Sequence, residues 1–521
     1  MRCDFDCFAR NLHSGLTLVA LAAGIVLTAC APVPLDAPKP VTVAQTPPLP
    51  NTLHSVARQT RAGYAASQSA IIPLNDGNEA LGARLRLIDS ARDTLDLQYF
   101  LMKPDLGGAL VTQALLTAAD RGVRVRILLD DVFTTVDDQF LGLIGAHPNI
   151  ELRVFNPARR PGPKFAGFLT EFARLNRRMH NKSFSADGAV AIVGGRNIAD
   201  EYFQIETSSE FADFDMMVIG PAVADIGTEF DLFWNDGWSV PIHDLRKPPT
   251  DAELAKTRAE LNTRLIPARG TYEKAVNDPF FDRMSAGKIT IYPGTVASVT
   301  DRPSKLKVPL EQGDRILAET LLRRIRDAKH DVILLTPYFV PEDWGARLFA
   351  DLAARGVQVR IVTNSLGSTN HSYVHAGYRR HRAPLLAAGV ELYEVRADAL
   401  QILGQVPPGD KTGLVMHTKL AVIDGQDVFV GSLNFDPRSI KQNTEFGLFI
   451  HSPRLAREAL IDLNAGIDDY TYRLSRAADG SLRWHYDSPA APSVTTREPG
   501  ATFGNTLVVG ITELLNVELQ L

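Results

Sequence analysis

Cysteine is nearly absent from the 521 residues. Cys3, Cys7 and Cys30 are the three present, all within the first thirty positions. Beyond them the chain can form no disulfide and no thiolate metal site. It also lacks a strong charge bias: 55 Lys and Arg stand against 60 Asp and Glu, a formal net charge of −5, so nothing in the balance points to a nucleic-acid partner. The apolar run at residues 16–27 is too short to span a bilayer. What the chain does have is length enough for two or more domains, each with its own core.

The first residues differ from the rest. Arg2 and Arg10 flank a weakly polar start that also carries Asp4 and Asp6, and the apolar run ends in Leu27-Thr28-Ala29-Cys30. That ending resembles the lipobox of bacterial lipoprotein signal peptides. The resemblance implies cleavage of residues 1–29 and acylation of Cys30, each acyl chain adding about 0.8 kcal/mol of membrane affinity per buried CH₂. The expected location is therefore a membrane-anchored lipoprotein facing the periplasm. Ala31 after Cys30 leaves both inner and outer membrane open. Residues 30–51 are rich in proline and read as an extended tether.

From about residue 80, helical and strand patterns alternate: helix over 83–91, strand over 94–101, helix over 108–120, strand over 123–129. The same order returns with helix over 316–328, strand over 331–340, helix over 344–354 and strand over 357–362. Tyr99-Phe100 matches Tyr338-Phe339, Arg121-Gly122-Val123 matches Arg355-Gly356-Val357, and Glu151-Leu152 matches Glu391-Leu392. The expectation is an α/β chain of two similar halves, each a mixed sheet flanked by helices, related by a pseudo-twofold axis. The halves are bounded at 52–245 and 311–476. A connector at 246–310 has some helix over 251–265, and a tail follows at 477–521. The tail reads as a packed terminal helix rather than an amphipathic membrane contact, because its polar positions are acidic.

One segment occurs twice: HNKSFSADGAVAIVGGRN at 180–197 and HTKLAVIDGQDVFVGSLN at 417–434. Asp-Gly between apolar runs predicts a hairpin in each. Residues i and i+2 of an extended strand face the same way, so His180 points with Lys182 and His417 with Lys419. The returning strand brings Asn197 or Asn434 to the same end. Asp187 and Asp424 fall at the far end and are expected to shape the turn.

Two such half-sites suit a phosphodiester. One imidazole can attack phosphorus while the other protonates the leaving alcohol. Lys182, Lys419, Asn197 and Asn434 can hold the equatorial oxygens. The lysines supply the positive charge, so no metal or other cofactor is required. Asp215 and Glu445, from the strand after each hairpin, are the expected orienters of the imidazoles.

The paired segments resemble the two HKD motifs of the phospholipase D superfamily. LQYFLMKPD, LLDD, GGRNIADEYF, TPYFVP, VHAGYRRHR and GVELYE are similar to bacterial cardiolipin synthases of the C type. The resemblance runs over most of residues 80–470. It implies transfer of a phosphatidyl group through a phosphohistidine, with phosphatidylglycerol and also phosphatidylethanolamine as candidate substrates at a membrane surface. It also implies His180 as nucleophile and His417 as acid and base, although the residues alone leave that order open. A hydrolytic phospholipase D and an exported nuclease are the competing activities. The family's G-S-x-N is present as Gly431-Ser432-Leu433-Asn434, but Gly195 stands where Ser432 does, with Arg196 the neighbouring candidate donor. Further candidates for lipid contact are a basic, aromatic stretch (Arg159, Arg160, Lys164, Phe165, Phe168, Phe172, Arg174, Arg177 and Arg178) and His375, Arg379 and Arg380.

Overall fold

The computed structural model describes residues 33–44, 52–132, 134–135, 138–160, 168–205, 209–277 and 280–515. The expected signal peptide, Cys30, Lys164 and Phe165 lie outside them.

Among the described residues, eighteen strands form one continuous sheet. In the first half the strand Thr94–Tyr99 lies parallel to Arg124–Asp130, and Arg124–Asp130 parallel to Ile150–Phe155. On its other side Thr94–Tyr99 meets the hairpin Ser183–Ala186 and Val190–Gly194, which continues antiparallel to Asp215–Ile219 and then Ser69–Leu74. The second half repeats the order. Asp331–Leu335, Gln358–Asn364 and Glu391–Val395 are parallel, and the hairpin Leu420–Ile423 and Asp427–Gly431 leads to Phe446–His451 and Tyr292–Thr300. The seam is the antiparallel pairing of Ser69, Ala70 and Ile71 with Gly294, Pro293 and Tyr292.

Strand Tyr292–Thr300 stands in the second half where Ser69–Leu74 stands in the first, so that half begins inside the stretch read as a connector. Its sequence, YPGTVASVT, has too little apolar alternation to announce a strand. The connector's helix runs Asp251–Val276, opened by a capping box between Thr250 and Glu253, and packs on the helices Gly77–Ser90 and Leu106–Asp120. The second half also extends beyond residue 477, because Leu482–Tyr486 and Ser493–Thr495 lengthen its sheet.

Alternation along the strands sorts side chains into two sets. Leu95, Leu97, Met217 and Ile219 join the helix-covered core of the first half, whereas Ile71, Met216 and Val218 point the other way. There they meet Val422, Val428, Val430 and Leu448 of the second half in a shared core. Each half of the sheet is thus covered by helices on one face and by the other half on the opposite face.

Residues 33–44 do not stand off the body as a tether would. The Thr42 carbonyl accepts from Arg126 (3.1 Å) and Asn235 (2.9 Å), and the Pro40 carbonyl accepts from Arg153 (2.7 Å). Trp234 Nε1 donates to Thr42 Oγ1 at 2.8 Å. Proline removes donors but leaves carbonyls, and buried guanidinium groups take them up. At the other terminus the helix Phe503–Leu515 packs against helix Ser372–Arg379.

Candidate active site

Both motif hairpins form, with Asp187-Gly188 and Asp424-Gly425 at positive φ, as a two-residue turn of this hand needs. Each aspartate also caps the start of the central strand. Asp187 accepts from the N–H groups of Arg92, Asp93 and Thr94, and Asp424 from those of Lys329, His330 and Asp331. Both sit at the structural end of the hairpin, as its geometry requires, and take no place beside the imidazoles.

At the other end, each half lays its His-x-Lys segment against the other half. His180 N donates to Thr444 O at 2.9 Å, and His417 N to Ala212 O at 2.8 Å. The residues that follow, Glu445 and Asp213, therefore reach across. Glu445 Oε2 lies 2.8 Å from His180 Nδ1, and Asp213 Oδ2 lies 2.6 Å from His417 Nδ1. Glu445 thus orients the imidazole of the first motif, not the second. The expected Asp215 orients neither: it is ion-paired with buried Arg84 at 2.9 Å and lies 3.5 Å from Arg196. The signal for Asp213 was in the sequence, since Asp213-Phe214 aligns with Glu445-Phe446. Asp215 opposes Gly194 just as Gly447 opposes Gly431.

The site is almost closed, with His180 8% and His417 6% exposed. Phe100 meets the His180 ring edge-on at 4.7 Å, and Phe211 stacks on His417 at 5.3 Å. Lys182 Nζ donates to the His180 carbonyl at 2.7 Å, and Lys419 Nζ lies 2.9 Å from His417 Nδ1. Burial, then Lys182, Lys419 and Arg438, hold the His180 imidazole well below its ordinary value. Burial and then Lys419 bring His417 down to about 3 against the pull of Asp213. Both rings are neutral near pH 7. Burial also lowers Lys182 to about 7 and Lys419 to about 8, and raises Glu445 to about 7. Burial would raise Asp213 too, but His417 and Lys419 overcome it and hold its carboxyl below the usual range.

Ser432 acts through a carboxylate: its hydroxyl donates to Glu445 Oε2 at 2.5 Å and accepts from Phe446 N at 3.0 Å. Gly195 has no room for the equivalent side chain, since a Cβ there would stand 2.1 Å from Asp213 Oδ1. Arg196 does not replace the missing hydroxyl, because its guanidinium donates to the carbonyls of Leu74, Asn75 and Tyr202. Asn197 donates to Tyr202 Oη at 2.9 Å, and the Tyr202 ring meets His417 edge-on at 5.2 Å. Asn434 is buried, and its Oδ1 has no hydrogen-bond partner among the described residues.

Among the described residues, the other arginine candidates for lipid contact and His375 are engaged by protein groups. Arg178 is fully buried on Asp130, and Arg177 donates to the carbonyls of Leu306 and Val308. Arg160 pairs with Asp131 and Asp138, and both Arg159 and Arg174 pair with Glu171. Arg159, Arg160, Arg174 and Arg178 are thereby neutralised by acids that lie far from them in sequence or one turn away. His375 is 2.9 Å from Glu498, and Arg380 Nε donates to His381. Arg438, not singled out in the sequence, donates to Asn176 (3.0 and 2.9 Å) and is close enough to depress His180.

Known proteins resemble this chain in sequence and in fold. A family described as "Cardiolipin synthase, PLD-like domain" matches twice, at residues 85–231 and 321–464. Cardiolipin synthase C of Escherichia coli K12 is 36% identical over 458 residues, 87% of this chain and 96% of that protein. An uncharacterized protein of Helicobacter pylori 26695 is 34% identical over 404 residues, 76% of this chain and 79% of that one. Among solved structures, a phosphatidylserine synthase of Haemophilus influenzae superposes with a TM-score of 0.56 at 13% identity. The match covers 90% of this chain and 100% of that one, which speaks for the fold.

Proposed function

The chain belongs to the cardiolipin synthase family of PLD-like domains, and from that premise we propose that it transfers phosphatidyl groups between phospholipids to make cardiolipin, with His180 as nucleophile. The observation that carries this reading is the crossed pair of imidazole–carboxylate contacts, His180–Glu445 and His417–Asp213.

The donor's phosphodiester carries a negative charge into a pocket held by two buried lysines. That charge raises the proton affinity of every neighbouring group. Lys182 and Lys419 become firmly ammonium and hold the equatorial oxygens. His417 takes a proton, and Asp213 stabilises the resulting imidazolium. His180 Nε2 attacks phosphorus, its Nδ1–H fixed by Glu445. The P–N bond forms as the P–O bond to the leaving alcohol breaks, and His417 gives that alcohol its proton. An acceptor lipid hydroxyl then enters. It loses its proton to His417 and forms the new P–O bond as P–N breaks. With phosphatidylglycerol as acceptor the product is cardiolipin, and the alcohol released identifies the donor as phosphatidylglycerol or phosphatidylethanolamine.

Among the described residues no helix is long and apolar enough to cross a membrane. We assign the attachment to acylated Cys30, with the body on the periplasmic side. Lipid mass spectrometry of cells expressing wild type, His180→Ala and His417→Ala tests the activity. Cardiolipin should rise with the wild type alone; phosphatidic acid in its place would make water the acceptor. Radiolabelled palmitate incorporation that is lost in Cys30→Ser tests the anchor.

A further inference from the structure

We propose that Asp130 and Asn364 are positioning residues, each gripping the peptide N–H just before a catalytic histidine. Asp130 sets His180 for its step, and Asn364 sets His417. The order of the two effects rests on the histidine roles proposed above; the grip itself does not.

The two residues hold one place in the duplicated fold. Asp130 ends strand Arg124–Asp130 and Asn364 ends strand Gln358–Asn364, the middle strand of each parallel trio. Both side chains are buried. Asp130 Oδ2 accepts from Met179 N at 3.0 Å, and Asn364 Oδ1 accepts from Met416 N at 2.9 Å. Met179 and Met416 stand directly before His180 and His417.

The two halves reach this contact by different chemistry. An amide both donates and accepts, whereas a carboxylate only accepts. Asn364 therefore serves Met416 unaided, its Nδ2 donating to Met416 O at 2.8 Å and to Pro337 O at 3.2 Å. Asp130 brings a charge into the core and needs a cation. Arg178 supplies it at 3.1 Å from an equally buried position. Where Arg178 precedes Met179, apolar Val415 precedes Met416. Acid goes with arginine and amide with valine, yet the bond to the methionine N–H is made in both halves. What the two arrangements share is the hold on the peptide before the histidine.

That hold completes a clamp. On the other side each histidine is fixed by the opposite half, where His180 N donates to Thr444 O and His417 N to Ala212 O. Asp130 and Asn364 close the clamp from the histidine's own half. Released there, the ring shifts against the carboxylate at its Nδ1 and against the phosphorus it serves. A misplacement of about 1 Å costs on the order of 10²-fold in rate.

The test compares two donors in single turnovers of the full chain. One is phosphatidylglycerol, read as glycerol released; the other is the phosphatidyl ester of p-nitrophenol, whose phenolate leaves without a proton. Asp130→Leu and Asn364→Leu keep the side chain's bulk and remove its hydrogen bond. Asn364→Leu should slow glycerol release on the order of 10²-fold and leave nitrophenolate release near the wild-type rate, because only glycerol needs the proton from His417. Asp130→Leu should slow both, because the His180 Nε2–P bond must form as either P–O bond breaks. Asp130→Asn keeps an acceptor for Met179 N and should recover most of the loss. The ratio of the two rates in one preparation is independent of its folded fraction, and Asp130→Ala and Asn364→Ala repeat the comparison with smaller side chains. Equal loss on both donors in the Asn364 variants, or an Asp130→Asn no faster than Asp130→Leu, overturns the proposal. The reverse pattern, with the nitrophenyl donor sparing Asp130→Leu and not Asn364→Leu, upholds both positioning roles and exchanges the roles of the histidines. A wild type that releases nitrophenolate but no glycerol sinks the choice of lipid instead, and nitrophenolate release by the Asp130 variants then decides the grip.

Discussion

Glu445, in the second half, hydrogen-bonds His180, in the first, at 2.8 Å and takes a hydrogen bond from Ser432 at 2.5 Å. Asp213 makes the reciprocal contact to His417 at 2.6 Å with Gly195 against it. The shorter carboxylate and the missing side chain belong together, since Asp213 occupies the space a serine would need.

Restoring the family's serine should therefore harm the enzyme. Gly195→Ser and Gly195→Ala are both expected to displace Asp213 and lower kcat on the order of 10²-fold, the scale of a misplacement of about 1 Å. Steady-state kinetics on mixed micelles measures it. A gain in kcat from the serine would show that the hydroxyl was wanted and that the steric account is wrong.

Asp213 and Asp215 should separate cleanly. Asp213→Asn is expected to lower kcat by about 10²–10⁴ with little change in thermal stability, because it deprives His417 of its ionised partner. Asp215→Asn leaves Arg84 buried without its charge partner and should cost roughly 3–5 kcal/mol of stability, while the folded fraction keeps its activity. Urea denaturation beside kinetics for both variants distinguishes them.

The motif's own aspartates should behave as turn formers. Asp187→Ala and Asp424→Ala each remove the acceptor of three backbone N–H groups, and each should destabilise by about 1–3 kcal/mol. The kcat of the folded protein should stay within a few-fold of wild type. A loss as deep as that of His180→Ala would return these residues to the chemistry.

The lysines set an alkaline limit. Folding lowers both from 10.5, to about 7 for Lys182 and about 8 for Lys419. In the free enzyme the ammonium form is thus lost as pH rises through 7–8, and kcat/KM should fall there. A bound phosphodiester raises both values, so the falling limb of kcat should lie at higher pH than that of kcat/KM. A kcat/KM flat to pH 10 would rule this out. The stability sign follows from the same shifts. Between pH 7 and 10.5 the unfolded chain holds more protons on these lysines than the folded one, so their contribution to stability rises with pH across that window.

Two buried lysines side by side with the two imidazoles also predict anion stabilisation. Vanadate at about 100 times its Kd should add roughly 2.7 kcal/mol and raise Tm. Lys182→Met with Lys419→Met should abolish the rise. An equal rise in that double variant would place the anion elsewhere.

What could be read in advance was whatever lies within one stretch of chain. Asp-Gly fixed the two hairpins, period-2 spacing put His180 with Lys182 and His417 with Lys419, and the recurrence of Arg-Gly-Val and Tyr-Phe revealed the duplication. What escaped depends on contacts between distant stretches. His180 and Glu445 are 265 residues apart, His417 and Asp213 204, and their pairing is decided by how the two halves meet. Strand Tyr292–Thr300 owes its place to its neighbours Ser69–Leu74 and Phe446–His451, not to its own pattern. The basic run before His180 looked free because Asp131 and Asp138, which neutralise Arg160, come from another loop and helix.

The exchange of carboxylates between the halves has a consequence for heredity. A mutation at Glu445 falls in the second repeat but damages the histidine of the first, and one at Asp213 does the reverse. Neither half can keep a working histidine without the other, so the two copies are bound together as one unit. Gly195 and Ser432 mark where they have nonetheless parted, each with a carboxylate of matching length.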